Sequence, residues 1–252
     1  MTGDLPSQLR GIADEYPPDL RAGQRDDVRR IAFNIELSVG DRPKGSAIAD
    51  IGGGLGLFSA GCAAFGMRSV LVDDFRDPGN IEIAQQVLAV HRRHGVEVLE
   101  RDVIADGLDL APGSFDVITT FDSIEHWHHS PKTLLHGLVR ALKPGGRLVI
   151  GAPNCVNLRK RISVPLGIGK WSAMRDWYEE KTFRGHVREP DVGDLRYMAN
   201  DLGLRDASVI GRNWLGYVHS SPLVRGAMPV VDRILQSFPT LCSDLYLVGY
   251  KK

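Results

Sequence analysis

The chain has 252 residues, 43% hydrophobic and 25% charged, which is the balance of a folded globular protein and excludes disordered, collagen-like and coiled-coil classes. That length suits one large domain with a substantial core and is short for two ordinary domains plus a linker. Lys plus Arg and Asp plus Glu both number 31, so the formal net charge is +0 and the electrostatic footprint of a nucleic-acid binder is missing. Cys62, Cys155 and Cys242 stand far apart with no C-x-x-C pair. They make neither a disulfide framework nor a cysteine-rich zinc site and are expected to be small buried side chains. Residues 1–10 carry Asp4 and Pro6 and no apolar signal-peptide region, and no later stretch approaches the ~18 uninterrupted apolar residues of a membrane span, so a cytoplasmic location is expected.

After a polar, Pro-containing opening, Val28, Ile31, Ala32, Ile35 and Val39 recur at helical spacing and mark residues 1–45 as an N-terminal helical segment. The period then changes. An apolar strand at 47–51 ends in glycines, followed by a helix over 57–65, a strand over 69–72 and a helix over 81–94 stopped by Gly95. Strands at 96–99 and 115–121 come next, then a helix capped by Ser130 with Pro131 in its first turn, then a strand at 147–150. Such alternation calls for a parallel sheet with helices on both faces. Past Pro153 the regularity stops: residues 154–189 mix Gly, Pro, Arg and aromatics without a period, as binding segments and lids do. A helix over 191–202 stopped by Gly203 and strands at 207–210 and 245–250 close the chain, with a further helix expected at 224–238. The expected organisation is one domain over 1–252, with a core at 46–153 and with 154–189 and 213–243 as substrate cap or interface insertions.

Chemistry concentrates at Asp50-Ile51-Gly52-Gly53-Gly54-Leu55-Gly56, where the first strand turns into a helix. Glycine lets backbone approach a ligand, and the helix N-terminus offers free N–H groups, although a tight turn can need glycine for conformation alone. A nicotinamide or flavin dinucleotide is the main rival ligand. Against it, the third glycine of G-x-G-x-x-G falls on Leu57. A carboxylate at Asp50 would also repel a pyrophosphate, whereas it suits a ligand carrying an amino group or a sulfonium. Asp73 and Asp74 end the second strand about 20 residues after the glycine turn, where a carboxylate accepts hydrogen bonds from ribose hydroxyls. Asp102, after the third strand, is either an acceptor for an adenine amine or an ordinary turn acid.

Together A-D-I-G-G-G-L-G at 49–56, L-V-D-D at 71–74, E-R-D-V at 100–103, F-D-V-I-T-T-F-D-S-I-E-H at 115–126 and L-K-P-G-G-R-L-V-I at 142–150 resemble the class I S-adenosylmethionine-dependent methyltransferases. The likeness spans residues 46–154 and returns more weakly at Gly185-His186-Val187. It implies a Rossmann-like α/β fold, a doubly wound sheet of about seven strands that is mostly parallel with an antiparallel last strand. It implies S-adenosyl-L-methionine as cofactor and S-adenosyl-L-homocysteine as product. It further implies contacts from Asp50, Gly52, Gly53, Gly54 and Gly56, from Asp73 to the ribose with Asp74 as the competing register, from Asp102 and Val103 to the adenine, and from Phe121 and Asp122 near the methionine portion.

Methyl transfer from a sulfonium is a direct displacement, so a protein chiefly aligns the reactants and removes a proton where the nucleophile carries one. Glu125-His126 follow the fourth strand, where this broad family often carries a Glu-His pair, and an imidazole suits proton acceptance near neutral pH. These two are the candidate catalytic residues; the competing reading makes them structural caps. No metal ligand is assigned, and a divalent ion on Asp122, Glu125, His126, His128 and His129 is the lesser reading. Asp122-Ser123-Ile124-Glu125 replaces the N-P-P-Y or D-P-P-Y of nucleobase amino-methyltransferases, in line with the charge balance. Trp171, Trp177, Tyr178 and Phe183 are expected mostly to anchor their segment, Arg159, Lys160 and Arg161 to be solvated, and His186 and Arg188 to face the pocket. The expected activity is O-methylation of a small-molecule hydroxyl on a sugar, glycan or natural-product scaffold. A protein, lipid, carbon or nitrogen acceptor, a nicotinamide reductase, and a non-catalytic cofactor- or partner-binding protein of the same fold are the alternatives, with a homodimer left open.

Overall fold

The structure is a computed structural model that describes residues 5–75, 81–169, 172–179 and 181–252. The apolar run after the N-terminal helical segment forms β1 (Ala47–Ile51), buried along its whole length because both faces are covered. β2 (Arg68–Asp73) and β4 (Phe115–Phe121) flank it in parallel. β3 (Glu97–Glu100) lies parallel outside β2, and β5 (Leu142–Pro153) lies parallel outside β4. The last strand in the chain, β7 (Asp244–Tyr250), is antiparallel to β5 and to the edge strand β6 (Arg205–Arg212), giving the seven-stranded order β3-β2-β1-β4-β5-β7-β6. This is the expected Rossmann-like sheet.

Alternation along the strands divides the core into two layers. Ile48, Leu71 and Val117 point to one face, against α1 (Leu5–Asp14), α2 (Pro18–Val39), α3 (Phe58–Ala64) and α4 (Ile81–Arg93). Ala49, Val70 and Ile118 point to the other, against α5 (Lys132–Ala141) and α8 (Val192–Asp201). Three further helices, α6 (Leu158–Ser163), α7 (Met174–Glu179) and α9 (Pro222–Leu235), belong to the segments that interrupt the alternation.

Of the boundaries that differ from the sequence reading, three have a clear physical cause. The opening holds a full helix, α1, whose Leu5, Leu9, Ile12 and Ala13 are buried. They lock in where Gly61 of α3 leaves room: a Cβ there would lie 2.6 Å from Leu9 and 2.7 Å from Ile35. α2 starts at Pro18, well before Val28, because proline's fixed φ is preorganised for a first turn. β5 starts at Leu142 because Lys143-Pro144-Gly145-Gly146 is absorbed as a bulge, the pairing shifting from Phe115↔Leu142 to Val117↔Arg147. At α8 the start is set by a capping box: Asp191 accepts from the Asp194 N–H, and Asp194 accepts from the Asp191 N–H. Among the described residues no helix is long and apolar enough to cross a membrane, and the three cysteines are free, with Cys155 only half-buried.

Candidate active site

The order of the sheet reverses between β1 and β4, and a ligand crevice in such a sheet opens outside the carboxyl ends of those strands. The glycine turn lies there. Gly52 (φ +69°) and Gly54 (φ +55°) occupy the left-handed region, and a Cβ on Gly52 would sit 2.0 Å from the Ser123 hydroxyl. Gly53 has no such backbone demand; its restriction is steric, because a Cβ would lie 2.2 Å from Asp50 Oδ2 and 2.6 Å from Leu71. The turn rests directly on the Asp50 carboxylate.

Asp50 is 3% exposed and accepts hydrogen bonds from Ser59 Oγ and Thr119 Oγ1, each at 3.0 Å. Burial pushes its carboxyl up to about 7, opposed by the two hydroxyls and reinforced by the charge of Asp73. It therefore supports the turn from below and acts toward the crevice through its field. Asp73, at the end of β2, accepts from Gly54 N–H and Phe75 N–H, both at 2.9 Å, so the ribose candidate is tied to the glycine turn. Asp74 is half-buried beside it. Asp102 uses Oδ1 to accept from Ile104 and Ala105 N–H, the turn role named as its alternative, while Val103 is buried in the core. Tyr16, which the sequence reading passed over, donates from its hydroxyl to the Gly56 carbonyl at 3.1 Å and contacts buried His91.

At the end of β4, Phe121 stacks edge-on against Phe58 and Tyr246. Asp122 follows in a left-handed conformation (φ +48°) and forms an ion pair with Arg30 of α2. A short 3-10 turn (Ile124–His126) then delivers the Glu-His pair. Glu125 is 1% exposed, and among the described residues neither carboxylate oxygen has a hydrogen-bond partner. Burial and the Asp122 charge push its carboxyl up to about 8. His126 Nδ1 lies 2.7 Å from the Arg184 carbonyl, which only accepts, so Nδ1 carries the proton and Nε2 remains open. Burial lowers the pKa of its ring. His186 stands against it, with ring centroids 4.8 Å apart and Nε2 4.0 Å from Glu125 Oε1. Its Nδ1 bonds Glu189 Oε1 at 2.8 Å, which raises its pKa, and Glu189 also pairs with Lys160.

A cavity of about 1450 Å³ runs from Asp122 past Glu125, His126 and His186. Leu158 and Ile162 of α6 and Val224, Met228, Val231 and Leu235 of α9 give it an aliphatic wall. α9 is moored by Asp232, fully buried, which accepts from Arg212, Asn213, Tyr217 and Gln236. The irregular segments 154–189 and 213–243 thus both line the space beside the Glu-His pair.

Several expectations shift here. The histidines that converge on Glu125 are His126 and His186; His128 instead faces the Phe183 carbonyl and His129 is exposed. Lys160 is drawn from the basic run into the pocket by Glu189, and Arg188 turns out to Asp194 and does not line it. Trp177 and Tyr178, 59% and 77% exposed, do not anchor their segment to the core among the described residues, while Phe183 lines the cavity; Trp171 lies outside the described residues. Periodicity could not have revealed His186, although its place beside Gly185 in the weaker stretch of likeness singled it out.

The sheet order, the glycine turn backed by carboxylates and the adjoining cavity define a Rossmann-like α/β protein built around a ligand crevice. The chain belongs to the methyltransferase-domain family, whose model matches residues 22–209. It is 30% identical over 172 residues to the ubiquinone biosynthesis O-methyltransferase of Idiomarina loihiensis, the match covering 66% of this chain and 65% of that protein. With the protein of the same name from Xanthomonas oryzae pv. oryzae it shares 31% over 115 residues, 44% of each. The chain thus spans less than two thirds of the length of these relatives. The fold is that of the Haemonchus contortus phosphoethanolamine N-methyltransferase 2 (TM-score 0.57, 16% identity, covering 88% of this chain and 52% of that one), solved with S-adenosylhomocysteine. It is also that of a SAM-dependent methyltransferase from Archaeoglobus fulgidus (TM-score 0.56, 19% identity, 88% and 92%).

Proposed function

We propose that the chain transfers the methyl group of S-adenosylmethionine to a hydroxyl of a small, largely apolar acceptor. The carrying observation is the cavity that joins the β4 end at Asp122 to the open imidazole face of His126. The glycine turn with Asp50 beneath it and Asp73 beside it would hold a nucleoside whose sulfonium is positive, a charge that favours the ionised form of both carboxyls. Phe121 and Asp122 would flank its methionine portion, and Asp102 and Val103 its adenine. The acceptor enters from the cavity, presents its hydroxyl to the Glu125–His126–His186 cluster, and its oxygen attacks the methyl carbon as the carbon–sulfur bond breaks. A hydroxyl needs a group to take its proton, and this cluster stands where that group is required.

Among hydroxyl acceptors, the aliphatic wall favours a natural-product scaffold with an apolar body over a sugar, whose polar groups would go unpaired against α6 and α9. The names of the curated relatives agree with oxygen as the receiving atom. The test is to incubate the protein with labelled methyl donor and cell extract fractionated by polarity. Label in an apolar fraction, released as a methyl ether, is the expected outcome; label confined to protein or sugar fractions overturns the choice of acceptor, and no label together with no S-adenosylhomocysteine binding overturns the assignment.

A further inference from the structure

We propose that Tyr16 and His91 are positioning residues for the cofactor: a buried hydrogen-bond chain that fixes the Gly56 carbonyl and so holds the glycine turn in the form that takes the nucleoside. The turn is half-buried from Gly52 to Gly56, whereas Tyr16 and His91, which meet it at Gly56, are fully buried. Tyr16 Oη lies 3.1 Å from the Gly56 carbonyl and 3.1 Å from His91 Nε2. A carbonyl only accepts, so the phenol donates to Gly56 and its oxygen accepts from His91 Nε2–H, which leaves Nδ1 bare. Among the described residues that buried Nδ1 has no hydrogen-bond partner. Burial pushes the Tyr16 phenol up and lowers the His91 ring to about 4, so at neutral pH the phenol keeps its proton and the ring is uncharged.

The chain of hydrogen bonds joins three segments that are distant in sequence. Tyr16 stands in the corner between α1 and α2, His91 on α4, and Gly56 just before α3. That corner is itself pinned. Arg21 donates from Nη2 to the Tyr16 carbonyl at 3.0 Å, and Glu15 pairs with Arg93 and His94 at the end of α4. Gln24 of α2 reaches the neighbouring Leu55 carbonyl at 3.5 Å, so two successive carbonyls of the turn receive donors from the N-terminal helices. The donors hang on regular helices. The turn has no Cβ at Gly52, Gly53, Gly54 or Gly56, and without those donors its peptides are free to take other orientations.

This inference rests on the reading that the glycine turn holds S-adenosylmethionine. A ligand that needs one conformation of the turn binds more weakly in proportion to the fraction of molecules that lack it. Removing the phenol hydroxyl takes the donor from Gly56 and the acceptor from His91, so other arrangements of the turn gain population before the cofactor arrives. Linkage makes the effect reciprocal: if the docked corner favours the cofactor, the bound cofactor favours the docked corner by the same factor. α1 therefore responds to occupation of the crevice although it lies behind the turn.

S-adenosylhomocysteine titrated by calorimetry into the full chain and its variants provides the test, with amide hydrogen exchange at residues 9–13 of α1 as the second readout. Tyr16→Phe keeps the ring and removes only the hydroxyl, and affinity should fall roughly five- to tenfold. His91→Leu should weaken binding to a similar degree, while His91→Gln, whose amide nitrogen can stand where Nε2 stood, should recover most of the loss. The double variant Tyr16→Phe, His91→Leu should lose little more than either alone, because both act on one carbonyl. Saturating S-adenosylhomocysteine should slow exchange at residues 9–13 more in the unaltered protein than in Tyr16→Phe. Melting temperature is recorded on each variant. Ala199→Gly in α8, packed on the other face of the sheet, should lower it and yet bind as the unaltered protein does, which separates a loosened fold from a loosened turn. Equal affinity in the unaltered protein and Tyr16→Phe, or exchange that responds to the ligand no more in the former than in the latter, overturns the inference and leaves the turn as the cofactor site. Absence of S-adenosylhomocysteine binding to the unaltered protein overturns both.

Discussion

Replacing Asp50 by Asn tests the physical basis of the crevice. In the unfolded chain this carboxyl loses its proton near 3.8, whereas burial under the glycine turn retains it to about 7. The folded state therefore binds more protons across that window, so stability falls as pH rises from about 4 to about 7. Three pH units at ~1.4 kcal/mol each make the loss on the order of 4 kcal/mol, undiminished by solvent screening because the group is fully buried. Asn keeps the shape and has no proton to lose, and the Ser59 and Thr119 hydroxyls can rotate to serve either end of the amide. At ~2–4 °C per kcal/mol for a chain of this size, Asp50→Asn should melt close to the unaltered protein at pH 4 and roughly 10 °C above it at pH 8. Thermal unfolding of the ligand-free proteins by circular dichroism from pH 4 to pH 9 measures that difference. Calorimetry should show the complementary cost: a cationic nucleoside favours the carboxylate, so S-adenosylmethionine affinity should climb through about pH 7 in the unaltered protein and stay flat in the variant. A melting difference that does not change with pH would refute the argument, since Asp50 would then be ionised throughout in the empty protein.

Gly53→Ala places a Cβ 2.2 Å from Asp50 Oδ2, and overpacking of this kind costs about 1–3 kcal/mol. Calorimetry should find S-adenosylhomocysteine bound roughly ten- to a hundredfold more weakly, a loss that unchanged affinity would contradict. His126→Ala should lower turnover by roughly 10²-fold or more with S-adenosylhomocysteine affinity nearly intact, the pattern of a group that acts at the reacting oxygen; unchanged turnover would reduce it to scaffold. Asp232→Ala strips the common partner from Arg212, Asn213, Tyr217 and Gln236 and leaves the half-buried Arg212 guanidinium without its carboxylate, at a cost of about 3 kcal/mol. With α9 unmoored, the KM for the acceptor should rise in steady-state kinetics while cofactor affinity holds, and a parallel loss of both would show that α9 does not belong to the acceptor side.

Much of the cofactor side was legible because its signals are local. An apolar run, a cluster of glycines and an acid at a strand's end depend on neighbours in the chain, and β1, β4 and the turn at Gly52–Gly54 lie where the pattern put them. That α1 is a helix of its own within the 1–45 helical segment was not legible, for a related reason. Its residues Leu5, Leu9 and Ile12 do repeat at helical spacing, but a short pattern among polar residues gains its meaning only from the groove beside Gly61.

The sequence by itself determined the class of fold, the glycine crevice and the carboxylates along its rim, since hydrophobic period and turn chemistry act over a few residues. Only the tertiary structure decided which side chains meet: His186 with Glu125, Arg30 with Asp122, Lys160 with Glu189 and Asp232 with Arg212. Each of those encounters joins separate elements. Local spacing carries no trace of them, because they exist only once helices, strands and irregular segments distant in the chain have packed together.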